Sequence, residues 1–359
     1  MRVGVVAEQL RHGVPGGIGT YASGLLRGLG ALDDHDLDVV ALASRPTGAD
    51  ALSAIGVAVE STRWPHRMQM ALWDRGIGRP SEAIDLLHRT SLAGPPAKPG
   101  TASTVMVHDL GWRRYPELTT ARGRRWHEAA LRRTISSSAH LIVPSAVIAA
   151  DLEDAGAASE RIHVIPEGAD HLAQPDLEAA ARLRQELGVG DAFVLTVSTL
   201  EPRKNLEALV AAHAEASERA AVPPLLIVGP SGWGDVAVAD TDRVVLAGPA
   251  TAGVLSALYA TCALFAYAPV HEGFGLPPLE AMAQGAPVLV STAVPSMLGA
   301  PTVATVDAGS VAAITEGILS ALADVEALDS ATLAGQEHAE RSRWVDVAAE
   351  HVALWRRLV

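Results

Sequence analysis

Cysteine is nearly absent from this chain. Cys262 is the single one in 359 residues, which excludes an internal disulfide and sets the expectation of a cytoplasmic protein. It lies in an apolar segment, where a buried structural thiol is expected. No run of about 18 apolar residues occurs, so no membrane-spanning helix is expected. The start, Met1-Arg2-Val3-Gly4-Val5-Val6-Ala7, reads as a first strand and lacks the features of a signal peptide. An excess of basic charge is missing too. The formal net charge is −13, which argues against broad nucleic-acid binding. Neither C-x-x-C nor H-E-x-x-H occurs and the 13 histidines are dispersed, so no metal site is expected.

What is present is apolar and ordered by period. Hydrophobic residues make up 49% of the chain, enough for full cores, and the length favours two domains. Short apolar runs read as strands at Arg2–Val6, Asp38–Ser44, Ile84–His88, Ser103–Val107, Leu141–Val143 and His163–Ile165. A second series follows at Phe193–Val197, Leu225–Val228, Val244–Ala247, Leu264–Tyr267, Pro287–Ser291 and Val303–Val306. Helical spacing fills the gaps, as at Tyr21 to Leu29 and Gly123 to Ile135. Such alternation predicts an α/β fold with parallel sheets covered on both faces, as two doubly wound domains. The polar stretch from Gly168 to Asp191 is the expected hinge. Domain boundaries are placed at residues 1–172 and 173–340, with a last helical segment at 341–359. There Trp344, Val347, Ala348, Val352 and Trp355 form one apolar stripe. Pattern alone leaves open whether that helix packs on its own domain or returns to the first.

The stretch from His271 to Ser291, H-E-G-F-G-L-P-P-L-E-A-M-A-Q-G-A-P-V-L-V-S, predicts strand, loop, helix and strand. Its loop presents amides at a helix start, which favours a phosphate. Glu272 and Glu280 frame it. Two carboxylates beside a phosphate loop fit hydroxyl recognition better than glycoside hydrolysis. The run Ser198-Thr199-Leu200-Glu201-Pro202-Arg203-Lys204-Asn205 follows the first strand of the second domain. A guanidinium beside an ammonium there suits a diphosphate, the alternative being two solvated charges. His108-Asp109 sits just past a strand. The histidine could donate to a sugar hydroxyl or act as a base, while Asp109 could merely cap a turn.

Gly13 to Gly19 reads G-V-P-G-G-I-G, but it begins too far past the first strand for a dinucleotide fingerprint, and no acidic residue caps the second strand. A nicotinamide site is therefore rejected, leaving a glycine loop approaching a ligand or a plain surface loop. Trp112 to Arg133 carries seven arginines against two glutamates, with Trp112, Tyr115 and Trp126 interleaved; Trp64 to Arg79 is similar. Such stretches suit an anionic membrane surface or a phosphate-bearing acceptor, against the alternative of a solvated helix face.

Together the motifs resemble the retaining glycosyltransferases of family 4, which have the GT-B fold. H-E-G-F-G-L-P-P-L-E is similar to that family's E-x7-E motif. The P-G-G-I-G loop, V-H-D, L-I-V-P-S at Leu141–Ser145, V-I-P-E-G-A-D at Val164–Asp170 and V-S-T-L-E-P-R-K-N follow in the family's order. The resemblance implies two Rossmann-like domains facing a cleft, the first for the acceptor and the second for the nucleotide sugar, with the last helix crossing back to the first. It implies that Arg203 and Lys204 hold the donor diphosphate beside Ser198. Glu272 would contact the sugar hydroxyls near the amides of Gly273, Phe274, Gly275 and Leu276, and Glu280 the ribose. His108 would meet the sugar, and Gly16 and Gly17 the phosphate or acceptor. The form of the motifs resembles the mannosyltransferase-type branch, pointing to GDP-mannose, with UDP- and dTDP-sugars open. The acceptor would be a hydroxyl of a glycan, a lipid-linked or anionic carrier or a small molecule. No metal or cofactor is implied. An epimerase and a non-catalytic nucleotide-sugar sensor remain alternatives, and peripheral contact at the inner membrane face is left open.

Overall fold

A computed structural model describes residues 1–13, 16–46, 51–78, 83–232, 234, 236–238 and 240–359. Val14 and Pro15 of the glycine loop and Arg79 of the second basic stretch lie outside the described residues. The chain forms two compact units. Unit 1 comprises Met1–Gly168 together with Arg343–Val359; unit 2 is Ala169–Ser342.

In unit 1 the order is β1 (Arg2–Val6), α1 (Gly16–Ala31), β2 (Asp38–Ala43), β3 (Ala58–Ser61), α2 (His66–Asp74), β4 (Leu86–Arg89), β5 (Ala102–Met106), α3 (Gly111–Arg114), α4 (Ala121–Ile135), β6 (His140–Val143), α5 (Ala146–Asp154) and β7 (Ile162–Val164). Among the described residues seven strands pair in the order β3-β2-β1-β4-β5-β6-β7, all parallel. The spacing of the sequence misses β3. It is a short edge strand with Ala58, Val59 and Ser61 exposed, so no buried face imposes an apolar period on it.

Unit 2 contains α6 (Leu177–Glu186), β8 (Val194–Val197), α7 (Leu206–Arg219), β9 (Leu225–Val228), β10 (Val244–Gly248), α8 (Ala252–Thr261), β11 (Leu264–Tyr267), α9 (Leu276–Ala283), β12 (Val288–Ser291), β13 (Ala304–Val306), α10 (Val311–Ala323) and α11 (Val325–Ala339). Its strands pair in the order β10-β9-β8-β11-β12-β13. Successive strand residues go to opposite faces, and both faces are buried. Leu195, Leu226 and Phe265 join one core, while Val194, Ile227 and Leu264 join the other. This explains why the strands read as continuous apolar runs. Several helices start on a side chain that accepts from the amide three residues on, including Ser145, Asp176, Thr251, Ser310 and Asp324.

The last helix, α12 (Trp344–Leu358), packs on α1 within unit 1. Gly24 and Gly28 lie one turn apart on α1 and let it come close. A Cβ on Gly28 would stand 2.2 Å from the Trp344 carbonyl oxygen. Beneath them runs a buried polar chain. Trp355 Nε1 donates to Thr104 Oγ1 (3.2 Å), Thr104 meets His88 Nδ1 (2.9 Å), and His88 Nε2 meets the Tyr21 hydroxyl (3.0 Å). That hydroxyl meets His351 Nε2 (2.9 Å), and His351 Nδ1 donates to the Val347 carbonyl (2.8 Å). One assignment satisfies every member: Thr104 donates to His88, His88 to Tyr21 and Tyr21 to His351, with both imidazoles neutral.

Candidate active site

In each sheet the strand order reverses at one point, and ligands of open parallel sheets bind there, beyond the carboxyl ends of the strands. In unit 2 that point lies between β8 and β11. Ser198 follows β8 directly. Arg203 and Lys204 sit in a short 3-10 turn, and Asn205 ends it in the left-handed conformation (φ 58°). Asn205 is held there because its amide donates to the carbonyls of Ala268 (3.0 Å) and Ala308 (2.9 Å). The β8 loop is thereby fixed to the segment beyond β11, which carries Glu272.

The charged groups meet. Lys204 Nζ lies 2.5 Å from Glu272 Oε1 and 2.9 Å from the Tyr267 hydroxyl, which itself donates to Glu272 Oε1 at 2.7 Å. Arg203 reaches Glu272 Oε2 at 3.7 Å and Glu201 Oε1 at 3.0 Å. Two carboxylates and two cations therefore sum to zero, and an anion arriving on Arg203 and Lys204 competes with Glu201 and Glu272. Burial by itself would lift the Glu272 carboxyl. Lys204 and Arg203, with hydrogen bonds from Lys204 and Tyr267, outweigh it and hold the group below the usual carboxylate range. Burial and the Glu272 charge push the Tyr267 phenol well up, so it stays a donor.

The loop after Glu272 is equally constrained. Gly275 has φ +99° and caps α9, and a Cβ there would meet Val294 Cγ1 at 2.3 Å. Ser296 ties the loop down, its amide donating to the Phe274 carbonyl (2.9 Å) and its hydroxyl to that of Gly275 (2.8 Å). The helix begins at Leu276, one residue before the first proline. Pro277 and Pro278 lack N–H groups, so the amides at this end belong to Gly273, Phe274, Gly275 and Leu276. Glu280 is buried. It accepts from the Tyr259 hydroxyl (2.9 Å) and lies 3.0 Å from His171 Nε2. Ser198 is 7% exposed, and its Oγ makes no hydrogen bond among the described residues, a cost that a ligand oxygen would remove.

In unit 1, His108 is engaged on both nitrogens: Nε2 with the Thr90 carbonyl (2.9 Å) and Nδ1 with Glu167 Oε1 (3.2 Å). A carbonyl and a carboxylate both call for donors, so the setting favours the imidazolium. Burial opposes this, but Glu167, Thr90 and Asp109 outweigh it and raise the pKa. As the imidazolium, His108 has neither a lone pair to act as base nor an N–H uncommitted to the protein. Asp109 takes the turn role, accepting from the Gly111 amide at 2.9 Å. Gly16 and Gly17 are exposed at the start of α1.

Sequence reading did not single out Glu201, Tyr267, Glu167 or His171 for the site. Glu201 stood next to the Arg-Lys pair and Tyr267 at a strand end, so a local signal existed. His171 carried none, because its partner is 109 residues away. Three aromatic residues of the basic stretches, Trp73, Trp112 and Trp126, turn inward. Trp73 donates to the Gly78 carbonyl, Trp112 to Glu128 and Trp126 to Asp74. Any membrane contact there rests on arginine charge, with Met68 and Ile77 as the exposed apolar groups. Among the described residues no group of three His, Cys, Asp or Glu side chains is placed to hold a metal ion, and no helix is long and apolar enough to cross a membrane.

Comparison with known proteins matches two family models along the chain. Residues 15–171 match Glycosyltransferase Family 4, and residues 191–324 match Glycosyl transferases group 1. The chain belongs to glycosyltransferase family 4. This family 4 glycosyltransferase is 34% identical over 160 residues to the serotype-specific mannosyltransferase WbdA of Escherichia coli, covering 41% of this chain and 19% of that one. It is 30% identical over 205 residues to the O-antigen chain mannosyltransferase B of Escherichia coli, covering 53% and 52%. It spans between 16% and 52% of the length of the curated relatives it matches. Among solved structures, Anabaena HepE in complex with UDP-glucose superposes with a TM-score of 0.74 at 19% identity over 100% of both chains. WaaG, a glycosyltransferase involved in lipopolysaccharide biosynthesis, gives 0.68 at 14% over 99% of both. These likenesses show the fold, that of the GT-B glycosyltransferases.

Proposed function

We propose that this protein transfers a hexose, with retention of configuration, from a nucleoside diphosphate sugar to a hydroxyl acceptor, and that the donor is GDP-mannose. The observation that carries the reading is the Arg203–Lys204–Glu272–Tyr267 cluster beside the Gly273–Leu276 amides, at the point where the unit 2 sheet reverses. Lys204 spends two of its three donors on Tyr267 and Glu272, leaving one for a phosphate oxygen. Arg203 adds a second charge, and the Ser198 hydroxyl a further donor. Stabilising the departing diphosphate by fixed charges lowers the barrier because that charge grows as the glycosidic bond breaks. Glu272 and Glu280 hold the sugar and ribose hydroxyls. The leaving diphosphate takes the acceptor proton on the same face, so no side-chain base is assigned. The Gly16–Gly17 amides are the unit 1 groups given to phosphate or acceptor recognition, while His108, with both ring nitrogens committed to Thr90 and Glu167, is given no hydrogen bond to the sugar. Mannose as the sugar draws support from the two mannosyltransferases, and the nucleotide-sugar class from HepE, whose structures hold UDP and UDP-glucose. The acceptor is a hydroxyl on a growing glycan, free or lipid-linked.

A panel of GDP-, UDP- and dTDP-sugars, read by thermal shift and by slow release of nucleoside diphosphate, tests the donor. GDP-mannose should shift melting most and yield GDP and mannose, with the same rate in EDTA. A preference for another base replaces the donor, and conversion of the sugar without an acceptor makes the protein an epimerase. Binding with no turnover on any acceptor makes it a sensor. Sedimentation with anionic liposomes at low and high salt tests peripheral membrane contact through Trp112–Arg133.

A further inference from the structure

Arg89, at the end of β4, is a half-buried cation with no counter-charge beside it among the described residues. Its hydrogen bond is a long one, Nη2 to Thr134 Oγ1 at 3.5 Å, and among the described residues no carboxylate oxygen comes within 4.0 Å of its guanidinium. Its neighbour in sequence, His88, turns to the opposite face of the sheet, where it bonds Tyr21. Arg89 instead lines a cavity of about 320 Å³, bounded by the ends of α2 and α4 and by the loop leading to β5. Lys98 and Arg133 line the same cavity, so among the described residues its walls carry three cations against one carboxylate, Asp74. Asp74 is committed elsewhere: both its oxygens accept from Trp126 Nε1 (3.1 and 3.0 Å), and Arg133 stands 3.6 Å from it. The carboxyl ends of α2 and α4 offset part of the Arg89 charge but give it no hydrogen bond. Burial, with Arg133 nearby, drives its pKa down to about 10. Gly94 packs on the stem, where a Cβ would lie 2.9 Å from Arg89 Cδ.

A guanidinium is retained in such surroundings at a cost that a bound anion removes. We propose that this cavity is a second ligand site, in unit 1, that takes a phosphate group on Arg89, with Arg133 and the Ser103 hydroxyl completing the donor set. Its volume is at the small end for ligand sites, which fits inorganic phosphate or the monoester of a small alcohol or sugar rather than a nucleotide. The geometry is independent of the donor site, whose cations are Arg203 and Lys204 in unit 2.

The test uses the full chain carrying Arg203→Ala and Lys204→Ala, so that the diphosphate-binding cations are gone. Melting is followed against sodium phosphate and against glycerol 3-phosphate, with sodium chloride at equal ionic strength as reference. A saturable rise is expected, and Arg89→Met should abolish it. The ligand with the lower midpoint identifies free phosphate or the ester as the source. Absence of a saturable rise with either ligand overturns the site, and so does a rise that survives Arg89→Met. Should Arg89→Met fail to fold, Arg89→Lys and Arg133→Gln take its place. Each is expected to raise the midpoint at least tenfold, and an unchanged midpoint in both overturns the proposal.

Discussion

Lys204 decides the state of Glu272 because it is the largest influence opposing burial at that carboxyl. Lys204→Met leaves a buried carboxylate with Arg203 at 3.7 Å and Tyr267, so the loss should sit near the low end for a broken buried pair, about 3 kcal/mol. Turnover should fall by a factor of ~10²–10³, the size of effect seen when a fixed charge or donor is removed from a developing anion. Tyr267→Phe removes one hydrogen bond and should cost about 1 kcal/mol. Denaturant midpoints and kcat check both, and near-normal turnover of Lys204→Met would take Lys204 out of the site. The Glu272 pKa is depressed, so the cluster stabilises the fold above the ordinary carboxylate range and loses that contribution as pH falls through the lowered value. At His108 the sign is reversed. Its pKa is raised, so its pairing with Glu167 is fully stabilising below the unfolded value near 6.5 and fades as pH rises through the folded one. Glu167→Gln should bring the His108 pKa down, read from its ring proton shift, and an unmoved pKa would show that Glu167 does not set the charge.

Between elements, the α1–α12 contact is close because two glycines remove the side chains that would separate the helices. Gly28→Ala drives a methyl into the backbone of Trp344, which cannot move aside as a side chain can. It should cost about 1–3 kcal/mol, whereas Gly30→Ala, with open space around it, should be neutral or mildly stabilising. The polar chain beneath the helices gives a pH test. Burial pushes His88 well down and His351 to about 4. The unfolded chain takes up protons near pH 6.5 and the folded one does not, so stability should fall as pH drops from about 6.5 towards 4. Melting temperature should decline between pH 7 and pH 5, and His351→Gln should flatten that decline. A decline of equal slope in the variant would place the acid sensitivity elsewhere.

For the molecule as a whole, chain order and compact unit do not coincide, because the last 17 residues belong with the first 168. Trp344, Val347, Val352, Leu354 and Trp355 are all buried there. At about 2 kcal/mol each they contribute on the order of 10 kcal/mol before entropy, comparable with the total stability of an ordinary domain. A chain ending at Ser342 should therefore lose unit 1, while unit 2, whose cores draw on no residue of that segment, keeps its fold. Limited proteolysis and far-UV circular dichroism of the truncated chain test this. Full protection of residues 1–168 would mean that α12 is dispensable.

The sequence by itself determined the alternation of strand and helix, because a strand buried on both faces must be apolar throughout and a helix beside it must keep its own period. It located the Glu272 loop and the Arg203–Lys204 turn for a similar reason: glycines, prolines and adjacent charges are local requirements of turns and of an anion. What the tertiary structure decided are the partners. That Glu272 answers to Lys204 and Tyr267, that Glu167 raises the pKa of His108, and that Arg89 has no carboxylate beside it among the described residues depend on residues brought together from distant positions. So does the placement of α12 in unit 1, since an apolar stripe states that a helix must be covered but not by what. Pairings across long loops leave no period in the chain, and a buried charge reads in the sequence like an exposed one.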